Sequence, residues 1–470
     1  MNKTVKYTGF SIFLILGVVI GVMQIFQPVL DAKGNLTLMM LIITIALWIF
    51  KPFNLPFSVS GGLFMASLLV LGVPAANVFS GFSGTAVWTL IPALFFGFVL
   101  AKTGLGRRIA YFGMKSIKVS YPGLLMMWFV IGVGLSILTP SITVRVVIVT
   151  PIALQCAQIC QLPKGSKARS LVLITAWAMA MIPGVGWLTG SLSGPVISGF
   201  YASIPELGAI DFSSWAKVSL LPTVLISLLT VIFGYFVLKP AEKLTVTKEV
   251  FVEEYRKLGR TSGKEIITGI VLIASFLCFT TNSLHHIPDA AVCLTGLFIL
   301  TLTGVIETKE LSSGISWDLV LFIGTAMGFG SVFAVTGVSS WMSGILIGAI
   351  APISSNPWVF VYVVLFVMFV WRFVDIAVFI PTIAIVSAIS PEVFSQYGIN
   401  PLVWVPLLCI GQNAFFLSYT NMFALVGEAN LGDEGWTPDH LAKYGTVYFV
   451  VAMLAMVVAV PYWISIDMFW

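Results

Sequence analysis

Two arginines stand in largely apolar segments, Arg145 among apolar and hydroxyl side chains in SILTPSITVRVVIVTPIA and Arg372 in VLFVMFVWRFVDIAVFI. A guanidinium keeps its charge at any accessible pH and presents its N–H donors as a planar fork, the shape that meets paired oxygens of a carboxylate, sulfonate or sulfate. Asp375, three residues after Arg372, offers one carboxylate partner for two guanidinium groups. On a purely structural reading each arginine ties down its own segment. Charge that remains uncompensated in apolar surroundings instead calls for a bound anion as the missing partner.

Hydroxyls and helix breakers accompany the arginines. AMIPGVGWLTGSLSGPVI puts Pro183, Gly184, Gly186, Gly190, Gly194 and Pro195 into an apolar run together with Thr189, Ser191 and Ser193, and FFLSYTNMFALVG adds Ser418, Thr420 and Asn421. An unwound helix turns free N–H groups and half-helix N-termini toward an anion. Metal chemistry is not expected. His285, His286 and His440 fall in predicted loops at span ends, and Cys156, Cys160, Cys278, Cys293 and Cys409 lack ligand spacing and read as packing residues. With no nucleophile paired to a histidine in any span, an enzyme is not expected either.

The elements that must position these residues are membrane spans. The chain of 470 residues is 59% hydrophobic and 9% charged, which predicts an all-α polytopic membrane protein without a soluble domain. Eleven spans are predicted, over 8–27, 35–50, 57–73, 85–102, 168–204, 216–238, 263–282, 289–305, 316–337, 401–428 and 445–466. Two further pairs of apolar arms, 122–138 with 144–160 and 356–371 with 374–390, have connectors too short to lie at a surface. They read as re-entrant hairpins with tips at depth. Of the 24 basic residues, all but Lys33, Lys217, Arg145 and Arg372 fall on one side, which puts the N-terminus in the cytoplasm and the C-terminus outside, in a cell (inner) membrane.

A polar linker, 240–265, divides the chain. After an N-terminal span within 1–30, the segments 31–239, with hairpin 122–160, and 266–470, with hairpin 356–390, repeat one order of motifs. A Thr-Gly pair closes a Gly-rich span at Thr103 and at Thr336. A proline follows after 48 residues (Pro151) and 45 (Pro381), and a hydroxyl-rich break after a further 40 (Ser191) and 39 (Thr420). The hairpins enter from opposite faces, so the repeat is inverted, the design of a secondary transporter with its site at mid-membrane. Each arginine lies 16 residues from the mouth of its hairpin, roughly 24 Å of helix and beyond the reach of a snorkelling side chain.

FFGFVLAKTGLGRRIA and DLVLFIGTAMGFGSVFAVTGVSSWM resemble the paired signatures of the divalent anion/sodium symporter family, and the resemblance covers essentially the whole chain. It implies a homodimer, an elevator-type movement of a hairpin-bearing transport domain against a scaffold, and import or exchange of dicarboxylates, citrate or sulfate. The family's Ser-Asn-Thr motif at each hairpin tip corresponds here to Ser141, Ile142, Thr143 and to Trp371, Arg372, Phe373. Its Gly-Thr/Ser-Pro motif corresponds to Gly190, Ser191, Leu192 and to Thr420, Asn421. The substrate residues expected are Ser141, Ile142, Thr143, Arg145, Gly190, Ser191, Arg372, Asp375, Thr420 and Asn421, with no metal ligands and no cofactor. Sodium coupling is doubtful, because both motif asparagines are replaced. The expected partners are a small anion and membrane lipid rather than nucleic acid. The alternatives are a sodium-coupled dicarboxylate symporter and, in another class, an anion-responsive channel or sensor.

Overall fold

The computed structural model describes residues 3–469 except 118, 202–209, 243, 245–247, 374–381, 384, 388, 389 and 391–395. The fold is all-helical; among the described residues the only β pairing is an isolated bridge between Ile399 and Phe469. Ten helical segments there are long and apolar enough to cross a bilayer, as expected of a multi-pass membrane protein. Their burial ranks them from rim to centre. Only 17% of Lys6–Met23 is buried, whereas every residue of 168–186 is buried.

The two Thr-Gly pairs do the same work in both halves. Thr103 and Thr336 each close a helix by donating the side-chain hydroxyl to the carbonyl four residues back, at 2.7 Å (Val99) and 2.8 Å (Val332). Gly104 and Gly337 then take left-handed backbone, φ +81° and +72°, a region that costs a side-chain-bearing residue about 1–2 kcal/mol. The chain turns there into Leu105–Ser116 in the first half and Val338–Ser354 in the second. Each helix leads to the outer arm of a hairpin, Tyr121–Leu138 and Pro357–Trp371.

The first hairpin is complete. Its arms, Tyr121–Leu138 and Ile142–Ile159, are joined by Thr139, Pro140 and Ser141, and Ser141 caps the second arm by accepting the Val144 amide at 3.3 Å. Gly132 brings the outer arm so close to Lys167–Met181 that a Cβ there would stand 2.1 Å from the Met179 carbonyl oxygen. Of the second hairpin, the outer arm is described. Most of the return arm, with Asp375 and Pro381, lies outside the described residues.

The hydroxyl-rich spans are broken, as their prolines and glycines predict. Lys167–Met181 passes into a tight turn, Ile182–Gly186, where Pro183 has no N–H to continue the ladder, and the chain resumes as Ser193–Tyr201. In the second half Trp404–Gln412 stops, and Asn421 restarts Met422–Leu431 by accepting the Phe423 amide at 2.9 Å. A third interruption was not expected: 316–337 divides into Trp317–Met327 and Phe329–Val335. Gly81 lies against it, and a Cβ there would come within 2.0 Å of the Gly324 carbonyl oxygen and 2.7 Å of the Gly328 nitrogen. Phe57–Val70 and Asp289–Leu302 are also shorter than their predicted spans.

One further expectation is corrected. His440 is not a loop residue but lies in the first turn of Pro438–Ser465, buried, with Nδ1 2.8 Å from the Ser170 hydroxyl. The linker segment contains the helix Lys248–Lys257. Glu254 accepts from Gln155 at 2.8 Å, Gln155 accepts from Tyr111, and Arg108 binds Glu265 at 2.7 Å. The cysteines are free, and all but Cys278 are buried.

Candidate functional site

Arg145 is fully buried one turn into the inner arm of the first hairpin. Its Nη1 donates to the Thr139 carbonyl at 2.9 Å and its Nε to the Ala180 carbonyl at 2.7 Å. Ala180 belongs to the last turn of Lys167–Met181, where carbonyls lack intrahelical donors and a cation is favoured. One guanidinium thus joins the hairpin tip to the helix break. Among the described residues its Nη2 has no acceptor.

Gly184 and Gly190 bring the two sides of that break into backbone contact. A Cβ on Gly184 would stand 2.3 Å from the Gly190 carbonyl oxygen and 2.7 Å from Arg145 Nη2; a Cβ on Gly190 would stand 2.3 Å from the Gly184 carbonyl oxygen. Thr189 and Ser191 flank Gly190, both buried, and among the described residues neither hydroxyl has a hydrogen-bond partner. Thr189 also shares a small cavity with Thr139 and Pro140 at the hairpin tip. A larger cavity of about 340 Å³ reaches the same break at Leu188 and Pro195.

The second break meets the first. Asn421 Nδ2 lies 3.4 Å from Met181 Sδ and 3.3 Å from the Ala414 carbonyl oxygen, so it spans from one break to the other. The Ser193 hydroxyl donates to Gln412 Oε1 across the same junction. Beside them the Trp177 indole donates to the Phe423 carbonyl at 2.9 Å. Arg372, 1% exposed, ends the outer arm of the second hairpin. That arm lies on the second break through Met368 against Gly411 and Phe373 stacked on Phe416 at 5.5 Å.

Arg145, Gly190, Ser191 and Asn421 therefore converge on one junction, with Thr420 buried beside Asn421 and its hydroxyl donated to the Leu417 carbonyl at 2.8 Å. Ser141 caps the adjoining helix and Ile142 is buried there. Thr143 is exposed. Two residues before Arg145, at about 100° per residue, it points from the opposite face of the helix. Asp375 lies outside the described residues. Two participants were overlooked in the sequence, Gln412 and Asn413. Both are buried, and Asn413 Nδ2 has no acceptor among the described residues. The signal was an amide pair, GQNAFF, in an otherwise apolar segment.

Where one end of the junction meets water, charges lock the two halves. Arg169, 4% exposed, donates Nε to the Glu434 carbonyl at 3.0 Å and Nη1 to the Leu162 carbonyl at 3.0 Å, and its Nη2 pairs with the Glu434 carboxylate. Lys164 binds the same carboxylate, and chiefly through that contact holds it below the usual glutamate range.

The profile of the sodium:sulfate symporter transmembrane region matches residues 5–470. A membrane protein of Cupriavidus necator is 27% identical over 269 residues, 56% of this chain and 52% of that one. Dicarboxylate transporter 1 of Arabidopsis thaliana chloroplasts is 24% identical over 294 residues, 59% of this chain and 51% of that one. The chain thus spans about half the length of these curated relatives. Among solved structures, the Alcanivorax borkumensis YdaH transporter, described as having an unusual topology, aligns over 99% of this chain and 98% of its own at a TM-score of 0.56 and 12% identity, a likeness of fold.

Proposed function

This chain belongs to the sodium:sulfate symporter family, and on that premise we propose that it is a secondary carrier of a small organic anion, dicarboxylate-like, that works without a sodium requirement. The observation that carries the reading is a set of buried donors without acceptors. Arg145 Nη2 and the Thr189 and Ser191 hydroxyls lie at the first break and Asn413 Nδ2 at the second, and none has a hydrogen-bond partner among the described residues. Buried donors are ordinarily paired, and each left unpaired costs about 1–3 kcal/mol. An oxyanion supplies the acceptors they lack. The dicarboxylate named for the chloroplast relative favours a carboxylate over sulfate.

In this proposal Arg145 and Arg372 hold the anionic groups, Ser191 orients them, Thr420 and Asn421 fix the second break beside them, and Ser141, Ile142 and Gly190 shape the wall. The depth of the hairpin is consistent with a buried site. From Lys167 to Ala180 the helix rises roughly 20 Å, and Arg145 ties the tip to that level. The inverted repeat, movement as an elevator, a homodimer, and an N-terminus in the cytoplasm with the C-terminus outside complete the reading.

The test is uptake of labelled succinate into proteoliposomes, beside thermal unfolding of the purified protein with succinate, malate and sulfate. A ligand at 100 times its Kd stabilises by about 2.7 kcal/mol, so a carboxylate should raise the midpoint and drive saturable uptake. Unsaturable current through single channels, or no response to any anion, overturns the proposal.

A further inference from the structure

We infer that Asn413 is a specificity-determining residue of this site, its side-chain amide donating to a second oxygen-bearing group of the substrate. The inference rests on the anion-carrier reading above. Asn413 is 1% exposed at the point where Trp404–Gln412 ends, and among the described residues its Nδ2 has no acceptor. Its neighbours differ in this. Asn421 points its amide N–H groups at Met181 Sδ and the Asn413 and Ala414 carbonyls and accepts the Phe423 amide with its oxygen, and Gln412 accepts from Ser193. Those amides hold the two breaks together. Asn413 contributes only its backbone to that lattice and leaves its NH₂ group unused.

Its position relative to Arg145 follows from shared contacts. Arg145 holds the Ala180 carbonyl; the next residue, Met181, touches Asn421; Asn421 in turn reaches the Asn413 carbonyl at 3.5 Å. The charged donor and the neutral one therefore flank the same crossing of broken helices. A guanidinium suffices for any small anion. A separate neutral donor adds something only for a substrate with a second acceptor, such as a dicarboxylate or a hydroxy acid, because an aliphatic monocarboxylate leaves that donor unpaired.

The experiment compares succinate with butyrate, which keeps the four carbons and lacks one carboxylate. Thermal shift and competition for uptake are read in the full-length wild type, Asn413→Leu and Asn413→Asp. Losing one hydrogen bond to a charged group should weaken succinate about tenfold or more in Asn413→Leu and leave butyrate within about twofold. Asn413→Asp, of nearly the same shape but an acceptor only, should weaken succinate further through like-charge repulsion. Succinate binding unchanged in Asn413→Leu, or as tight in Asn413→Asp as in the wild type, overturns the inference while the carrier reading stands. If Asn413→Leu fails to fold, Asn413→Asp decides alone. A wild type that responds to neither acid refutes the carrier reading itself.

Discussion

Gly190→Ala tests the first break most directly. The added Cβ would lie 2.3 Å from the Gly184 carbonyl oxygen and 2.9 Å from the Gly184 Cα, whereas ordinary contact begins at 3.4 Å. The two sides of the break must therefore part by about 1.1 Å, and neither side is a side-chain end that can swing away. Overpacking of this kind costs about 1–3 kcal/mol. The functional loss should be larger than the stability loss, because Arg145 Nη2 would meet a Cβ on Gly184 at 2.7 Å and so shares the space through which the break must move. A displacement near 1 Å in a positioned constellation is worth about a hundredfold in rate. Gly134→Ala, in the outer arm of the same hairpin, is the control. Nothing lies within 4 Å of the new methyl, and that substitution should be neutral or stabilise by up to about 1 kcal/mol. Initial uptake rates at several substrate concentrations and the unfolding midpoint report both effects. Wild-type uptake and midpoint in Gly190→Ala would refute the claim that backbone contact at Gly184 builds the site.

Uptake into proteoliposomes should be the same in choline as in sodium buffer, since a fixed guanidinium near a cation 4 Å away would repel it by about 4 kcal/mol at an effective dielectric of 20; a steep dependence on external sodium refutes this. Arg372→Ala and Arg372→Lys should both abolish uptake with the protein still expressed, because an ammonium lacks the planar fork, and retained uptake in Arg372→Lys counts against a substrate-facing guanidinium. Glu434, held below its ordinary value of 4.5 chiefly by Lys164, contributes its stability fully above that value and loses it as pH falls through the lower folded-state value. The midpoint difference between wild type and Glu434→Gln should accordingly shrink on acidification from pH 7 to 3, and a constant difference would remove the ion pair from the account.

What the sequence disclosed follows from where its signals are local. The Thr-Gly pairs at Thr103 and Thr336 were readable because a left-handed glycine and a back-bonded threonine act within a single turn. Pro183 with its glycines marked the first break for the same reason. Arg145 was legible through its depth, but its neighbours were not: the Ala180 carbonyl is 35 residues away, and main-chain acceptors leave no mark in a sequence. Gln412 and Asn413 escaped notice because two amides in an apolar run fit a helix end as well as a ligand site. The interruption at Gly328 was invisible for a different reason, since it depends on Gly81 approaching from a distant part of the chain. Thr143 shares a motif with Ser141, but a helix turns about 200° over two residues, so sequence neighbours need not share a face.

The segment 168–186, buried at every residue, is enclosed chiefly by the two arms of the first hairpin, but part of its polar pairing comes from residues near the other end of the chain. Arg169 reaches Glu434, Ser170 meets His440, and Thr175 faces Tyr444 at 2.9 Å. The partner of Arg169 is synthesised 265 residues later, which at about 5–20 residues per second is a wait of roughly 13–53 s. During that interval Arg169 has the Leu162 carbonyl but not Glu434, and the Ser170 and Thr175 hydroxyls lack His440 and Tyr444. Complete pairing of this helix therefore waits on the C-terminal region, and ribosomes stalled short of Glu434 should leave a cysteine placed at Ser170 open to a label that the finished protein excludes.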